Sequence, residues 1–364
     1  MPKKKIAVVQ NEFGPGIEKE AATFLLGENG EQLPVQAVVL PNGCICKSKV
    51  IQMRKFKTSF GDLGCSVKDD LLMTVENIAK SSERFDYIFV ECYGLSDPTS
   101  VASVFWVDEA LESILYLDAI LCFIDAFHIW ENWNELETSQ QIACADVIII
   151  NKIDLVSDPK LETLEQQIKS VNPIAKILKS VKSHVNLDQV LNLQCFSNEK
   201  VLPMLQSHFT ESQPHNHEHK NKSKHSIKTF EIQMSGKLDY DKFQSWLGKL
   251  VWVSNESENE GNGKEEDNID NDNKVEVVED KRKRSHQNSQ NKTTPTYYRY
   301  KGILSMKGEK NKFVLQGVHR LFEVNETKVA WAPEEKDLNK LLFVGRNLDE
   351  DMIKKTFQQL LQQQ

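Results

Sequence analysis

The sequence has few cysteines and no excess of basic charge, and both shortages exclude classes of protein. Seven cysteines in 364 residues are too few for the disulfide framework of a small secreted protein, and clustered cysteines in a reducing compartment more often bind metal or react. The formal net charge is −8, whereas a general nucleic-acid binder needs a clustered basic surface for phosphate contacts. We therefore expect no nucleic-acid partner.

Long hydrophobic runs are missing from the beginning of the sequence. Three lysines lead into an apolar-leaning run at 6–10, which is too short for a signal-peptide core or a membrane span. We expect a cytoplasmic protein with no membrane partner. The basic run at 281–284 could direct the protein to the nucleus, but within an acidic loop a solvated charged stretch is the interpretation we favour.

Length and composition indicate two folded domains. A chain of 364 residues exceeds one ordinary core, and its 40% hydrophobic and 27% charged residues are typical of a globular protein. A polar, histidine-bearing stretch at 211–225 reads as a linker between domains at 1–210 and 226–362. The loop at 254–292 is too polar to offset its ordering entropy and is predicted to be disordered.

The first domain is predicted to be α/β, because short β-rich runs alternate with amphipathic helical patterns, as in a parallel sheet with helices on both faces. The second is predicted to be a smaller α+β domain. Predicted strands span 6–10, 87–92, 119–125, 146–151, 176–180, 226–234, 297–306, 312–318 and 340–344, and predicted helices 69–80, 160–171, 240–253 and 349–361.

The most specific motif follows the hydrophobic strand at 146–151. The tetrapeptide at 151–154 reads Asn-Lys-Ile-Asp, and guanine-nucleotide proteins carry such a tetrapeptide at the carboxyl end of a strand, where open α/β sheets bind ligands. Asp154 would accept the two guanine N–H groups, Asn151 would link two loops and Lys152 would lie along the base. A chance match at a polar turn is the alternative.

A second strand ends in Glu91, followed closely by Gly94. Glu91 could hold a Mg²⁺-bound water or orient the attacking water, while Gly94 would let a switch loop move toward a phosphate. A solvated glutamate at a strand end is the alternative. The glycine-rich phosphate loop, Gly-x-x-x-x-Gly-Lys-Ser/Thr, does not occur in the sequence, so we expect weak triphosphate and Mg²⁺ binding.

The metal candidate is a Cys-x-Cys pair, Cys44 and Cys46, which follows a Pro-Asn-Gly turn. Thiolates favour Zn²⁺ or Cu⁺, but two sulfurs are half of a tetrahedral site, so two incidental loop thiols are the alternative. Histidines in the linker could also collect metal, or could be there by chance. They are His215, His217, His219 and His225.

These motifs, in this order, resemble those of the CobW family of GTPases, and the likeness extends over most of 5–360. The resemblance implies a P-loop-NTPase-like parallel sheet, a CobW C-terminal domain, a Cys-x-Cys-Cys metal site, and GTP, Mg²⁺ and Zn²⁺ as ligands. It also implies GTP-gated delivery of zinc to a client metalloenzyme such as methionine aminopeptidase. The matching segments are 9–14, 42–46, 91–98 and 151–154, with 101–108 and 345–349 typical of the zinc-regulated GTPase metalloprotein activator branch.

The sequence departs from the family pattern at three places. The family's first strand and phosphate loop have no counterpart here, which suggests a truncation before Met1. The usual Thr-Thr after the strand-end glutamate reads Cys92-Tyr93, and Cys46 is followed by Lys47 instead of a third cysteine. These differences leave open a second function, a zinc- or client-binding pseudo-GTPase without turnover, and nickel or cobalt remains a possible cargo.

The third cysteine of the metal site is predicted to be Cys65. Removing 47–64 would join Cys46 directly to Cys65 and restore Cys-x-Cys-Cys, so we interpret 47–64 as a translated intron. A genuine surface insertion is the alternative, in which Cys44, Cys46 and Cys65 could still converge because loop closure costs grow slowly with length. The predicted zinc ligands are therefore these three thiolates.

Overall fold

The structure is a computed structural model. It describes residues 5–10, 35–39, 75, 78, 85–92, 98–99, 101–102, 115–211, 227–253, 294–333, 335 and 337–362. The described strands are β1 (Ile6–Gln10), β2 (Val35–Val39), β3 (Tyr87–Glu91), β4 (Leu121–Asp125), β5 (Val147–Asn151), β6 (Lys176–Lys179), β7 (Ile227–Ser235), β8 (Thr296–Ser305), β9 (Asn311–Val318), β10 (Leu321–Ala330) and β11 (Leu338–Arg346). The described α-helices are α1 (Ile129–Asn132), α2 (Leu136–Cys144), α3 (Asp158–Val171), α4 (Asn198–Glu211), α5 (Tyr240–Val253) and α6 (Glu350–Gln362).

The first domain is built on parallel strands, which confirms the predicted α/β class. Strands β2, β1 and β3 form one parallel group, and β4, β5 and β6 form another. Tyr87 and Phe89 of β3 pack against the cluster that contains Val147 and Ile149 of β5. Shared side-chain packing therefore joins the two groups.

Strand β5 is buried at every residue except its last. The side chains of Ile148 and Ile150 belong to one apolar cluster, together with Leu164 of α3. Val147 and Ile149 belong to the cluster on the other side. A strand covered on both faces reads as a continuous apolar run, which is why the sequence predicts it so clearly.

The second domain is an antiparallel sheet of order β10-β9-β8-β11-β7, which confirms the predicted α+β class. Helices α5 and α6 cover one face, with Phe243 and Phe357 at the centre of the cluster. Helix α4 covers part of the other face, where Leu205 packs near Ile303 and Leu342. The sequence did not predict strand β10, because it pairs on one side only and carries polar residues typical of a sheet edge.

A buried ion cluster joins the two domains. Arg299 and Lys301 of β8 are each 1% exposed, and Asp146 immediately precedes β5. The Nη2 atom of Arg299 donates to Oδ1 of Asp146, and Nζ of Lys301 lies 3.8 Å from the same oxygen. The other carboxylate oxygen of Asp146 accepts from the backbone N–H of Ile120 at 3.0 Å. Two buried cations of the second domain therefore converge on one carboxylate of the first.

Each of the two cations also donates to a carbonyl oxygen of the first domain. Nη1 of Arg299 donates to the carbonyl of Cys144 at 2.5 Å, and Nζ of Lys301 donates to that of Cys195 at 3.2 Å. Burial, together with the neighbouring Arg299, lowers the pKa of Lys301 to about 7, although Asp146 acts in the opposite direction. The interface is therefore sensitive to the charge of Lys301.

Removing the carboxylate charge should destabilise the protein strongly. Asp146→Asn leaves two buried cations without their counter-ion, and we expect the free energy of unfolding in urea to fall by about 3–5 kcal/mol. The matched control is Glu199→Gln, because Glu199 lies 3.8 Å from Lys328 with side chains 81% and 95% exposed. The control should change stability by less than about 1 kcal/mol. Equal losses for the two variants would contradict the structural role of the cluster.

The pKa of Lys301 predicts how stability depends on pH. Lysine in the unfolded chain titrates near its ordinary value of 10.5, whereas Lys301 in the folded chain titrates at about 7. Between these values the unfolded chain binds more protons, so the free energy of unfolding should increase with pH, by about 1 kcal/mol per pH unit. Urea titrations from about pH 6.5 to about pH 8.5 measure the slope. Lys301→Met should flatten it, and an unchanged slope in that variant would refute the assignment.

Candidate nucleotide site

The candidate site lies where β4 and β5 end. The two strands are parallel and in register, so Asp125, the last residue of β4, lies beside Asn151, the last residue of β5. The backbone N–H of Ala126 donates to the carbonyl of Asn151 at 3.0 Å and continues the pairing one residue further. The carboxyl edge of a parallel sheet is where such folds bind ligands.

The backbone turns sharply after β5. Lys152 has a φ of 59°, in the left-handed region that a residue with a Cβ rarely adopts. A short 3-10 helix, Ile153–Leu155, follows at once, and Asp154 within it is exposed. The structure thus brings the predicted residues Asn151, Lys152 and Asp154 together at one edge of the sheet, while their roles remain predictions.

The side chain of Asn151 links β5 to the loop that follows β6. Its Nδ2 donates to Oγ of Ser183 at 2.9 Å, and its Oδ1 accepts from the backbone N–H of Ser183 at 2.9 Å. The loop, residues 180–184, is itself fixed to the sheet, because the N–H of Ser180 donates to the carbonyl of Ile150 at 2.9 Å. These hydrogen bonds join the end of β5 to the loop after β6, and the role of Asn151 in binding a nucleotide stays a prediction.

The carboxylate of Asp125 contacts donors of its own turn and of Lys152. Oδ1 accepts from the backbone N–H groups of Phe127 and His128 at 2.9 and 3.1 Å. Oδ2 accepts from Nζ of Lys152 at 2.7 Å and lies 2.9 Å from Nδ1 of His128. Burial alone would raise the pKa of Asp125, but the hydrogen bonds from Lys152, His128 and Phe127 outweigh it and hold the pKa well below the usual range. Asp125 therefore stays ionised at neutral pH.

Sequence reasoning missed both Asp125 and the loop at 180–184. Asp125 ends a predicted strand, and the loop begins at the end of another predicted strand. Neither carries a recognisable tetrapeptide, so only the rule that ligands bind at the carboxyl ends of parallel strands could have identified them.

Glu91 is the last residue of β3, in register with Gln10 of β1. It is exposed, whereas the preceding residues of that strand are partly buried. An exposed carboxylate at the carboxyl end of a parallel strand fits the chemistry of Mg²⁺, a hard cation that takes oxygen ligands and keeps several waters.

Several predicted residues lie outside the described part of the chain. They are Gly94, Cys44, Cys46, Cys65, the segment at 47–64 and the linker histidines. Within the described ranges, no group of three or more His, Cys, Asp or Glu side chains could hold a metal ion. No helix in those ranges is long and apolar enough to cross a membrane.

A parallel α/β domain followed by an antiparallel domain defines a two-domain α/β protein, and the candidate site lies at the strand ends of the first domain. Residues 1–179 match the family described as CobW/HypB/UreG, nucleotide-binding domain. Residues 276–361 match the family described as cobalamin synthesis protein cobW C-terminal domain. The chain belongs to the CobW family, as the order of its motifs predicted.

Relatives of known name extend over nearly the whole chain. Zinc-regulated GTPase metalloprotein activator 1 of Schizosaccharomyces pombe is 27% identical over 95% of this chain and 76% of its own length. Zinc chaperone YjiA of Escherichia coli is 26% identical over 97% of this chain and 89% of its own length. The crystal structure of Zn(II)-bound YjiA GTPase from E. coli superimposes with a TM-score of 0.64 at 21% identity, covering 98% of this chain and 90% of that one. This structural likeness supports the fold.

The hydrogen bonds between Asn151 and Ser183 predict how fast the amide of Ser183 exchanges with solvent. Asn151→Ala removes both hydrogen bonds, each contributing about 0.5–1.5 kcal/mol, so the amide of Ser183 should exchange with solvent about tenfold faster. Amide hydrogen exchange followed by NMR measures this directly. Asn186→Ala is the matched control, because Asn186 accepts from the N–H of Asp188 at 2.9 Å in the next turn. Unchanged exchange at Ser183 in Asn151→Ala would show that the two loops are not coupled.

Proposed function

We propose that this chain is a GTP-dependent zinc metallochaperone that transfers zinc to a client metalloenzyme. The observation that carries the proposal is the edge of β4 and β5, where the Asn-Lys-x-Asp tetrapeptide is held by contacts on both sides. Asn151 contacts Ser183 on one side, and Lys152 contacts Asp125 on the other. A chance match at a solvated turn would not require either contact.

The chemistry of this edge suits guanine. Asp154 presents an exposed carboxylate, which can accept both the ring N–H and the exocyclic amino group of the base. Adenine offers no such pair of neighbouring donors on that edge. An ionised acceptor roughly doubles the strength of each hydrogen bond, so one carboxylate can provide most of the discrimination.

The phosphate side of the proposed site involves Glu91 and Mg²⁺. A Mg²⁺ ion held there would supply positive charge to offset the negative charge that develops during phosphoryl transfer. Glu91 would hold a metal-bound water or orient the attacking water from the end of β3. Gly94 would give the following loop the freedom to move as the phosphate is lost.

Zinc is the proposed cargo. Two relatives are named as a zinc-regulated activator of metalloproteins and as a zinc chaperone, and the thiolates of Cys44, Cys46 and Cys65 have the chemistry that Zn²⁺ prefers. Thiolate ligands must be deprotonated and ordered to bind, so a change in nucleotide loops connected to them along the chain would change zinc affinity. Methionine aminopeptidase is the client that we propose to test first.

The proposal predicts that GTP turnover depends both on zinc and on the carboxylate of Asp154, which is proposed to bind the guanine base. We expect zinc to stimulate phosphate release from GTP, and Asp154→Asn to lose most of that activity while gaining activity with xanthosine triphosphate, because an amide presents a donor to the base. Asp158→Asn is the matched control, since Asp158 is also exposed and lies just beyond the turn. Transfer is measured as recovered activity of zinc-depleted methionine aminopeptidase.

Two outcomes would separate the competing functions. A chain that binds GTP and zinc but releases no phosphate above the Asp154→Asn background would support the pseudo-GTPase candidate. Equal stimulation by zinc, nickel and cobalt would contradict zinc as the specific cargo, because competition among these metals should favour zinc at a thiolate site.

A further inference from the structure

We propose that Asp125 is a positioning residue for guanine recognition, which acts by holding the side chain of Lys152 in the orientation that receives the base. The inference rests on the proposed function of this edge. It adds to the tetrapeptide a residue from the neighbouring strand, 26 positions before Asn151 in the sequence and beside it in the sheet.

The two oxygens of the Asp125 carboxylate have separate partners. Oδ1 accepts the backbone N–H groups of Phe127 and His128, and these bonds fix the carboxylate relative to the end of β4. Oδ2 accepts from Nζ of Lys152 at 2.7 Å, with Nδ1 of His128 as its second neighbour at 2.9 Å. The backbone therefore holds the carboxylate, and the carboxylate in turn holds the lysine.

Lys152 needs such a partner because its own side chain is flexible. A lysine carries several rotatable bonds and substantial rotamer entropy, and the side chain of Lys152 is 46% exposed. The left-handed backbone at φ 59° fixes only the direction in which the side chain starts. With the ammonium on Asp125, the four-carbon stem is held across the edge between Asp125 and Asn151, before any nucleotide arrives.

Preorganisation of this kind increases affinity by removing an ordering cost from the binding step. Immobilising one rotamer-rich side chain in advance lowers the dissociation constant by about threefold to tenfold. The effect should be specific for guanine nucleotides, because the lysine lies beside the residue that reads the base. It should also depend on Lys152 being present.

A purely structural role for Asp125 would use different atoms. The Oδ1 contacts with Phe127 and His128 stabilise the turn after β4, and an asparagine at this position can keep them because its carbonyl oxygen also accepts hydrogen bonds. Asparagine would place a neutral amide where Oδ2 now meets the ammonium group of Lys152. Asp125→Asn therefore removes the contact that positions Lys152 and keeps the contacts that stabilise the turn after β4.

The experiment is a double-mutant cycle on the full chain, with fluorescent mant-GDP as the probe and mant-ADP as the comparison. The variants are Asp125→Asn, Lys152→Met and the combination of both. We expect Asp125→Asn to weaken mant-GDP about threefold to tenfold and to cause no further loss in the Lys152→Met background. Glu350→Gln is the matched control, because Glu350 pairs with Lys354 at 2.5 Å on the distant helix α6.

The outcomes distinguish this inference from the proposed function. If the unchanged chain does not bind mant-GDP more tightly than mant-ADP, the proposed function and this inference are both wrong. If the preference is present but Asp125→Asn does not alter it, or if the loss persists without Lys152, only this inference is overturned. Thermal melting verifies that each variant folds, and Asp125→Ser, whose hydroxyl can still accept a backbone N–H, takes the place of Asp125→Asn if that variant does not.

Discussion

Strand β5 is the element on which the domain interface and the candidate site both depend. Its side chains are buried on both faces, which fixes its position in the first domain. Asp146, just before the strand, is held by Arg299 of the second domain, and Asn151 at its other end holds the loop that contains Ser183. At about 3.3 Å per residue, the strand separates these two polar ends by roughly 17 Å.

The two ends of this region use the same chemistry for different purposes. Asp146 meets its cations in a buried interface, where loss of either partner leaves an uncompensated charge and the contact is therefore structural. Asp125 meets Lys152 at an exposed edge, where an ion pair contributes little to stability but can orient a side chain. The depth of burial, rather than the type of residue, decides which role a carboxylate takes.

The sequence predicted what is local and missed what depends on distant neighbours. It predicted β5 and the tetrapeptide at 151–154 because an apolar run followed by a polar turn is visible within ten residues. It did not predict that Arg299 and Lys301 would be buried, since charged residues in a strand normally indicate an exposed face, and their partner Asp146 lies about 150 positions away. Asp125 and Ser183 were missed for the same reason: only the parallel pairing of β4, β5 and β6 brings them to Asn151.

The central claim is that the edge formed by β4, β5 and the loop at 180–184 recognises the guanine base. An NMR titration of the isotope-labelled chain tests it most directly, with GDP and ADP added to separate samples. The amides of residues 151–154 and 181–184 should shift with GDP and remain in place with ADP at the same concentration. Equal shifts with both nucleotides, or GDP shifts confined to residues away from this edge, would contradict the account.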